Sequence, residues 1–332
     1  MGVLLLCTGC APSSLRQSRT TEALHINPQC FSKIISEKPK GYRPSAWSVS
    51  VLRAHDLAGF TARAVEAHPV VTAADVSDRV SRFTADPFMI SIGSTWYLFF
   101  EVMNCFSEEG DIGYAVSKDG VTWSYQGIAL DEKFHLSYPH VFKNGDELLT
   151  IPESRQGGGI RLYRAVDNDP GSWRLDRELI SGDYADPSIF YHDGKWWIFA
   201  VEGGYSLAVF YSSDVRGPWK QHATSPLYKG DKSKSRPAGR VISVENGLVR
   251  FAQDNRERYG HRVKAFRILN LTPESFEERE FVPGAFLEPP VSEGNIEELW
   301  NGVGMHHIDA HQLEDGSWIA AVDGAGTVLL PD

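Results

Sequence analysis

The chain has 332 residues, 42% of them apolar and 23% charged, with a formal net charge of −10. That size suits one large all-β domain or two ordinary ones, and the balance is that of a globular protein. No Lys/Arg cluster interrupts the body of the chain and no apolar run is long enough to span a bilayer, so nucleic acid and anionic membranes are poor partners.

Residues 1–45 read as a leader. Met1 to Cys10 is similar to the tail of a bacterial lipoprotein signal with Cys10 as the lipidated residue, which would mean export. It has no basic n-region and carries Cys7 where a Leu is usual, so a leader with no address is the equal alternative. Cys7 and Cys10 have a redox or metal spacing but no βαβ context, and are discounted. Cys30 and Cys105 are expected to be free thiols, since four cysteines do not make a disulfide framework in a chain this size.

From Trp47 onward one unit repeats. It consists of a polar residue often followed by Pro, a short apolar strand, a Gly turn, an aromatic or apolar strand and then an acidic residue. The five copies run 85–101, 138–153, 185–202, 236–254 and 306–323. Each is a hairpin, and the turns Asn144-Gly145, Asp193-Gly194, Asn246-Gly247 and Asp315-Gly316 are dipeptides that tolerate positive φ. A third strand follows each of the first four hairpins, the first ending in Ser117, Asp119, Gly120 and Trp123. Pro87, Pro139, Pro187 and Pro237 recur about every 50 residues, the period of a propeller blade. The fifth hairpin has no third strand after it, and the alternation of Trp47–Leu52 makes that segment the natural ring-closing strand. The expected fold is all-β, a five-bladed β-propeller over residues 46–332.

A propeller brings equivalent positions of its blades around one channel. The first set holds Asp86, His140, Asp186, Arg236 with Arg240, and His306/His307 with Asp309. The second holds Glu101, Glu153, Glu202, Asp254 and Asp323. Such acids can simply cap turns, which for the glutamates one at a time is as good a reading as function. Asp86 and Asp186 form a stronger pair, because each follows Ala, precedes Pro and leads an innermost strand. Two carboxyl groups, one a base and one a protonated acid, are what glycoside hydrolysis needs. The catalytic candidates are therefore Asp86, Asp186, Glu153, Glu202 and Asp254; Glu101, His140, Arg236, Arg240, His307 and Asp323 are the substrate-binding candidates. Arg236 and Arg240 either balance charge or form a fork for an acidic sugar. His307, Asp309 and His311 share a strand face but reach too far apart for one ion, so no metal and no cofactor is assigned. Trp96, Trp196, Trp197 and Trp318 read as packing between blades.

At Ala85-Asp86-Pro87, Ala185-Asp186-Pro187, His306 to Asp309 and Trp318 to Gly324, the chain resembles the propeller domain at the N-terminus of glucosamine inositolphosphorylceramide transferases and of stand-alone bacterial proteins. More distantly it is similar to five-bladed arabinanases, β-xylosidases and invertases. That resemblance implies Asp86 as base or nucleophile and Asp186 as the residue that orients and tunes the acid. The glutamate those glycosidases carry on the next blade is missing from Arg236 to Val241, so either the acid comes from Glu153, Glu202 or Asp254, or the site is not a hydrolase of that kind. The transferases' glycosyl transfer lies in another domain. The expectation is a glycoside hydrolase, with a non-catalytic carbohydrate-binding propeller as alternative and a protein scaffold third. Carboxylates across an open pocket would favour the first, a plugged channel the second.

Overall fold

A computed structural model describes residues 28–37, 45–63, 68–245, 247–290 and 299–327. Cys7, Cys10 and Asn246, and with them the lipidation and redox readings and one expected turn residue, lie outside the described residues. The strands make five sheets. β1 (Ser45–Ala54) comes first in the chain but belongs to the last blade. Blade I is β2 (Ser81–Ile92), β3 (Thr95–Asn104), β4 (Gly110–Ser117) and β5 (Ser124–Leu130). Blade II is β6 (Ser137–Asn144), β7 (Glu147–Glu153), β8 (Gly159–Ala165) and β9 (Trp173–Ser181). Blade III is β10 (Tyr184–His192), β11 (Lys195–Glu202), β12 (Ser206–Ser212) and the short β13 (Lys220–Gln221). In blade IV, β14 (Arg236–Pro237) and β15 (Ile242–Val244) both pair with β16 (Gly247–Asp254), followed by β17 (Arg262–Leu271) and β18 (Phe276–Glu280). Blade V is β19 (Ile308–Gln312) and β20 (Trp318–Thr327), with β1 as its third strand.

β1 pairs antiparallel with β20 from Ser45 opposite Thr327 to Ala54 opposite Trp318. The N-terminal strand thus closes the ring, as its alternation predicts, and removes the free edge a single-stranded return would leave. Five apolar clusters hold the blades, one at each interface between neighbours. Trp96, Trp196, Trp197 and Trp318 pack in four of them. Each blade buries both faces against its neighbours, which is why the strands read as near-continuous apolar runs.

The N-terminal region departs from expectation at two points. Pro28–Glu37 forms a helix, α1, inside the stretch read as leader. Cys30 and Cys105 are joined in a disulfide with Cα atoms 5.6 Å apart, not left as thiols. The bond is buried with Ile34 against Val80, and the Lys33 ammonium donates to the Cys105 carbonyl at 2.8 Å. Counting cysteines could not reveal this pairing, because the two are brought together only when α1 folds back onto blade I.

Candidate active site

Three innermost strands share one local distortion. Asp86, Tyr138 and Asp186 each precede a Pro and sit at φ of 51°, 49° and 51°. Each lies where the pairing slips, between Ala85 and Phe88, Ser137 and His140, and Ala185 and Ser188. A non-glycine residue before Pro is rarely found in the left-handed region, and the bulge re-aims its side chain. Strain repeated in register at the axis is held by the surrounding sheets and marks a place where side-chain direction matters more than local comfort.

At one end of the channel a cleft of about 180 Å³ opens, lined by Trp47, Asp86, Glu101, His135, Glu153, Arg236, Tyr259 and His306, among others. Asp86 donates its backbone N–H to the Asp323 carboxylate at 3.1 Å. The same carboxylate takes the His306 N–H at 3.1 Å and pairs with His306 Nδ1 at 2.7 Å. His306 Nε2 in turn faces Asp86 at 3.8 Å. Asp186 is gripped through both oxygens by Arg236, at 2.5 and 3.2 Å, and accepts from Gln253 at 3.0 Å. On the opposite wall His135 Nε2 lies 3.7 Å from Glu101 and 3.8 Å from Glu153, and Ser137 donates to Glu153 at 3.0 Å. The Trp47 ring stacks on His306 with centroids 4.0 Å apart, and Tyr259 meets the same imidazole edge-on at 5.4 Å.

Burial sets the electrostatics. It pushes Asp86 up to about 7, with His306 opposing and Asp186 and Asp323 adding to the rise. Glu153 is pushed to about 7, again by burial first and Asp186 second. Glu101 is held well above the ordinary carboxyl range by burial and by Asp86 and Glu153. For His306 burial works downward, but Asp323 and Asp86 outweigh it and keep the imidazole above its usual value. The cleft therefore offers carboxyl groups that carry exchangeable protons near neutrality, beside an imidazole that favours its charged form.

One consequence is measurable without a substrate. An unfolded Glu releases its proton near 4.3, whereas Glu153 keeps it to about 7. Within that window the folded state binds the extra proton, so this group makes stability fall as pH rises. Glu153→Gln is expected to match the wild type near pH 4 and to exceed it by about 3 kcal/mol at pH 8. Urea unfolding at the two pH values checks this; equal stability at both would mean that Glu153 ionises freely.

The remaining sequence candidates fall elsewhere. Arg240 pairs with Asp309 at 2.8 Å and donates to the Val141 carbonyl at 2.9 Å and the Met89 carbonyl at 3.3 Å. It ties blades I, II, IV and V together below the cleft and has no free fork. His140 is fully buried, stacks on Phe88 and accepts from the Ile189 N–H at 3.3 Å. His307 is also fully buried, with Nδ1 3.7 Å from Asp86 behind the cleft wall. Asp323 is buried and acts on Asp86 and His306 rather than lining the space. Glu202 is half-buried at the end of β11 opposite Tyr184, and does not line the cleft. Asp254 is held by Arg256 at 2.7 Å and Arg262 at 3.2 Å, which overcome burial and lower its pKa; that is the wrong direction for a proton donor. Asp86, Asp323 and His306 offer ligand atoms within 4.8 Å of one another. The backbone N–H groups of Asp86 and His306 both donate to the Asp323 carboxylate, and the His306 ring lies between the two acids in ion-pair contact with Asp323.

His135, Ser137 and Tyr259 line the cleft and escaped the sequence reading, because they lie in or next to connections whose paths no repeat dictates. Trp47 was visible only as a strand residue. The signal that existed was Gly260: a Cβ there would meet Trp47 at 2.7 Å and His306 at 3.1 Å, so the chain needs glycine to let Tyr259 approach.

Comparison with known proteins agrees with this architecture. The glucosamine inositolphosphorylceramide transferase 1 of Oryza sativa subsp. japonica is 41% identical over 275 residues, 78% of this chain and 35% of that protein. The Arabidopsis thaliana protein of the same name is 40% identical over 268 residues, 77% of this chain and 34% of the relative. The chain thus spans about a third of the length of these curated relatives. Among solved structures, a putative glycoside hydrolase from Bacteroides ovatus ATCC 8483 aligns over 73% of this chain and 86% of its own, with TM-score 0.53 and 13% identity. A thermostable family-43 glycoside hydrolase aligns over 75% and 90%, with TM-score 0.51 and 15% identity. At that identity the likeness is one of fold. Residues 50–325 match the family described as glucosamine inositolphosphorylceramide transferase 1, N-terminal, and the chain belongs to that family.

Proposed function

We propose that the cleft binds a carbohydrate and that its carboxyl groups act on a glycosidic bond. The observation that carries this reading is the pair Asp86 and Glu153, both lining one cleft and both titrating near neutrality. A general acid or base works best with a pKa near the working pH. Glu153 gives its proton to the leaving oxygen as the glycosidic bond breaks. Asp86, with its charge supported by His306, takes a proton from the attacking water or itself attacks the anomeric carbon. Asp186 is tied to Arg236 and Gln253, which fix its carboxyl group in place. Trp47 and Tyr259 offer aromatic faces for a sugar ring.

The arginine fork imagined for an acidic sugar loses its support, because Arg236 is spent on Asp186 and Arg240 on Asp309. With three further carboxyl groups lining the cleft, an uncharged sugar fits better.

Hydrolysis of a panel of aryl glycosides and polysaccharides by wild type, Asp86→Asn and Glu153→Gln tests the reading. Turnover is expected in the wild type, with a loss of about 10³-fold in Asp86→Asn, within the usual share of one general acid or base. A wild type that binds sugar without cleaving it would establish the second reading, a carbohydrate-recognition propeller. Two observations favour that one: the carboxylate expected on blade IV is absent, and the channel below the cleft is plugged by Arg240 and Asp309.

A further inference from the structure

His135 sits between the two glutamates of the cleft wall in a way that neither the repeat nor the resemblance assigns. Its Nδ1 accepts the Gly110 N–H at 2.9 Å, which fixes the neutral ring with its proton on Nε2. That Nε2 is 3.7 Å from Glu101 and 3.8 Å from Glu153, so it faces both and is hydrogen-bonded to neither. Gly110 leaves no slack behind the ring: a Cβ there would lie 2.3 Å from the Leu136 carbonyl oxygen and 2.9 Å from His135 Cε1.

We propose that His135 is a positioning residue that lets Glu101 and Glu153 share one proton, by donating its Nε2–H to whichever of the two is ionised. A sub-ångström movement commits the ring to one side. Only O–H bonds of the two carboxyl groups are exchanged, and His135 keeps its own proton throughout. The surrounding charges agree with this role. Glu101 faces Asp86, Glu153, Asp186 and Asp323; Glu153 faces Asp186, Arg236 and Arg155, with the Ser137 hydroxyl on one oxygen. Around His135, Asp186 favours the charged ring and Arg155 opposes it, while burial, the largest influence, holds the ring neutral. Two carboxyl groups crowded by other acids cannot both ionise cheaply, and a neutral N–H donor selects one without adding a positive charge. The inference rests on the reading of Glu153 as proton donor.

The test is ¹³C NMR of protein labelled at glutamate Cδ, titrated from pH 4 to 9, with Glu101→Gln and Glu153→Gln assigning the two resonances. In wild type the two midpoints are expected to be split. His135→Phe, which removes the donor, should raise the lower one by about one pH unit, the worth of a hydrogen bond to a charged group. His135→Gln, which keeps an N–H, should restore part of the split. Unchanged midpoints in a natively folded His135→Phe would overturn the proposal. So would a wild-type ¹⁵N imidazole spectrum showing the proton on Nδ1, a result that does not depend on any variant folding. Absence of turnover on every sugar would sink the hydrolase reading and leave these titrations intact, so the two failures are distinguishable.

Discussion

Gly239→Ala is expected to prevent the propeller from reaching its native fold. Gly239 lies at the axis, where the innermost strand of blade IV is interrupted between β14 and β15, at a φ of +130°. A Cβ there would stand 1.8 Å from the Ile308 carbonyl oxygen, a backbone atom of blade V. The surroundings cannot yield, because Gly239 is clamped from three blades. Its N–H donates to the Tyr138 hydroxyl at 2.5 Å, Ser188 donates to its carbonyl at 2.8 Å, and Ile308 N–H bonds to the adjoining Ala238 carbonyl at 2.9 Å. Moving any of these breaks buried hydrogen bonds of blades II, III and V. The expected cost exceeds about 4 kcal/mol, in the range reserved for steric and buried-polar failures together. Gly93→Ala is the matched control, since Gly93 has φ +60° and nothing within 4 Å of the added carbon. It should cost only about 1–2 kcal/mol, the left-handed penalty alone. Soluble yield and urea unfolding of both variants give the comparison. Similar stabilities would mean that blades IV and V can separate at the axis, contrary to the packing described.

Loss of the Cys30–Cys105 bond is expected to have the next largest effect. It closes a loop spanning 75 residues that contains β1, β2 and β3. In the chain-entropy account such a loop is worth about 4 kcal/mol. Because β1 is the ring-closing strand, the bond restricts the one element whose detachment would open the propeller. Cys30→Ser with Cys105→Ser should lower the melting temperature by about 10 °C, and adding reductant to the wild type should reproduce that shift while leaving the double variant unmoved. A wild type indifferent to reductant would show that α1 docks through Ile34 and Lys33 alone. Bonds of this kind persist in oxidising compartments and are rare in the reducing cytosol, so expression in an oxidising host should raise the yield of the wild type selectively.

The two variants act on different parts of one problem. Gly239 governs whether the blades can meet at the axis, and the disulfide governs how firmly the ring stays closed at its seam. The cleft depends on both. Trp47 and His306 come from the two sides of blade V, and Asp86 from blade I across the seam. Opening the seam would separate the aromatic platform from the acid it shelters.

The five-bladed ring was legible in the residues alone. Period-two alternation, positive-φ turn dipeptides and a Pro recurring about every 50 residues are local signals repeated often enough to be unmistakable, and β1 was recognisable because one blade was short of a strand. Asp86, Glu101, Glu153, Asp186 and Arg236 were placed at the channel by the same periodicity, and all five line the cleft or, for Asp186, bond a residue that does. The repeat could not say which equivalent positions open to the cleft and which are sealed beneath it. His140 and His307 are sealed away and Arg240 is held by Asp309 and two backbone carbonyls, because their surroundings come from how blades pack, not from spacing along the chain. Asp254 was lost to two arginines from its own blade's connection and first neighbouring strand, and His135 and Tyr259 were gained from connections whose course follows no period. The disulfide is the same lesson at the N-terminus. Periodic sequence determines which strands form and in what order; contacts between residues far apart in the chain, made only once the ring has closed, decide which acids keep their protons and which side chains line the cleft.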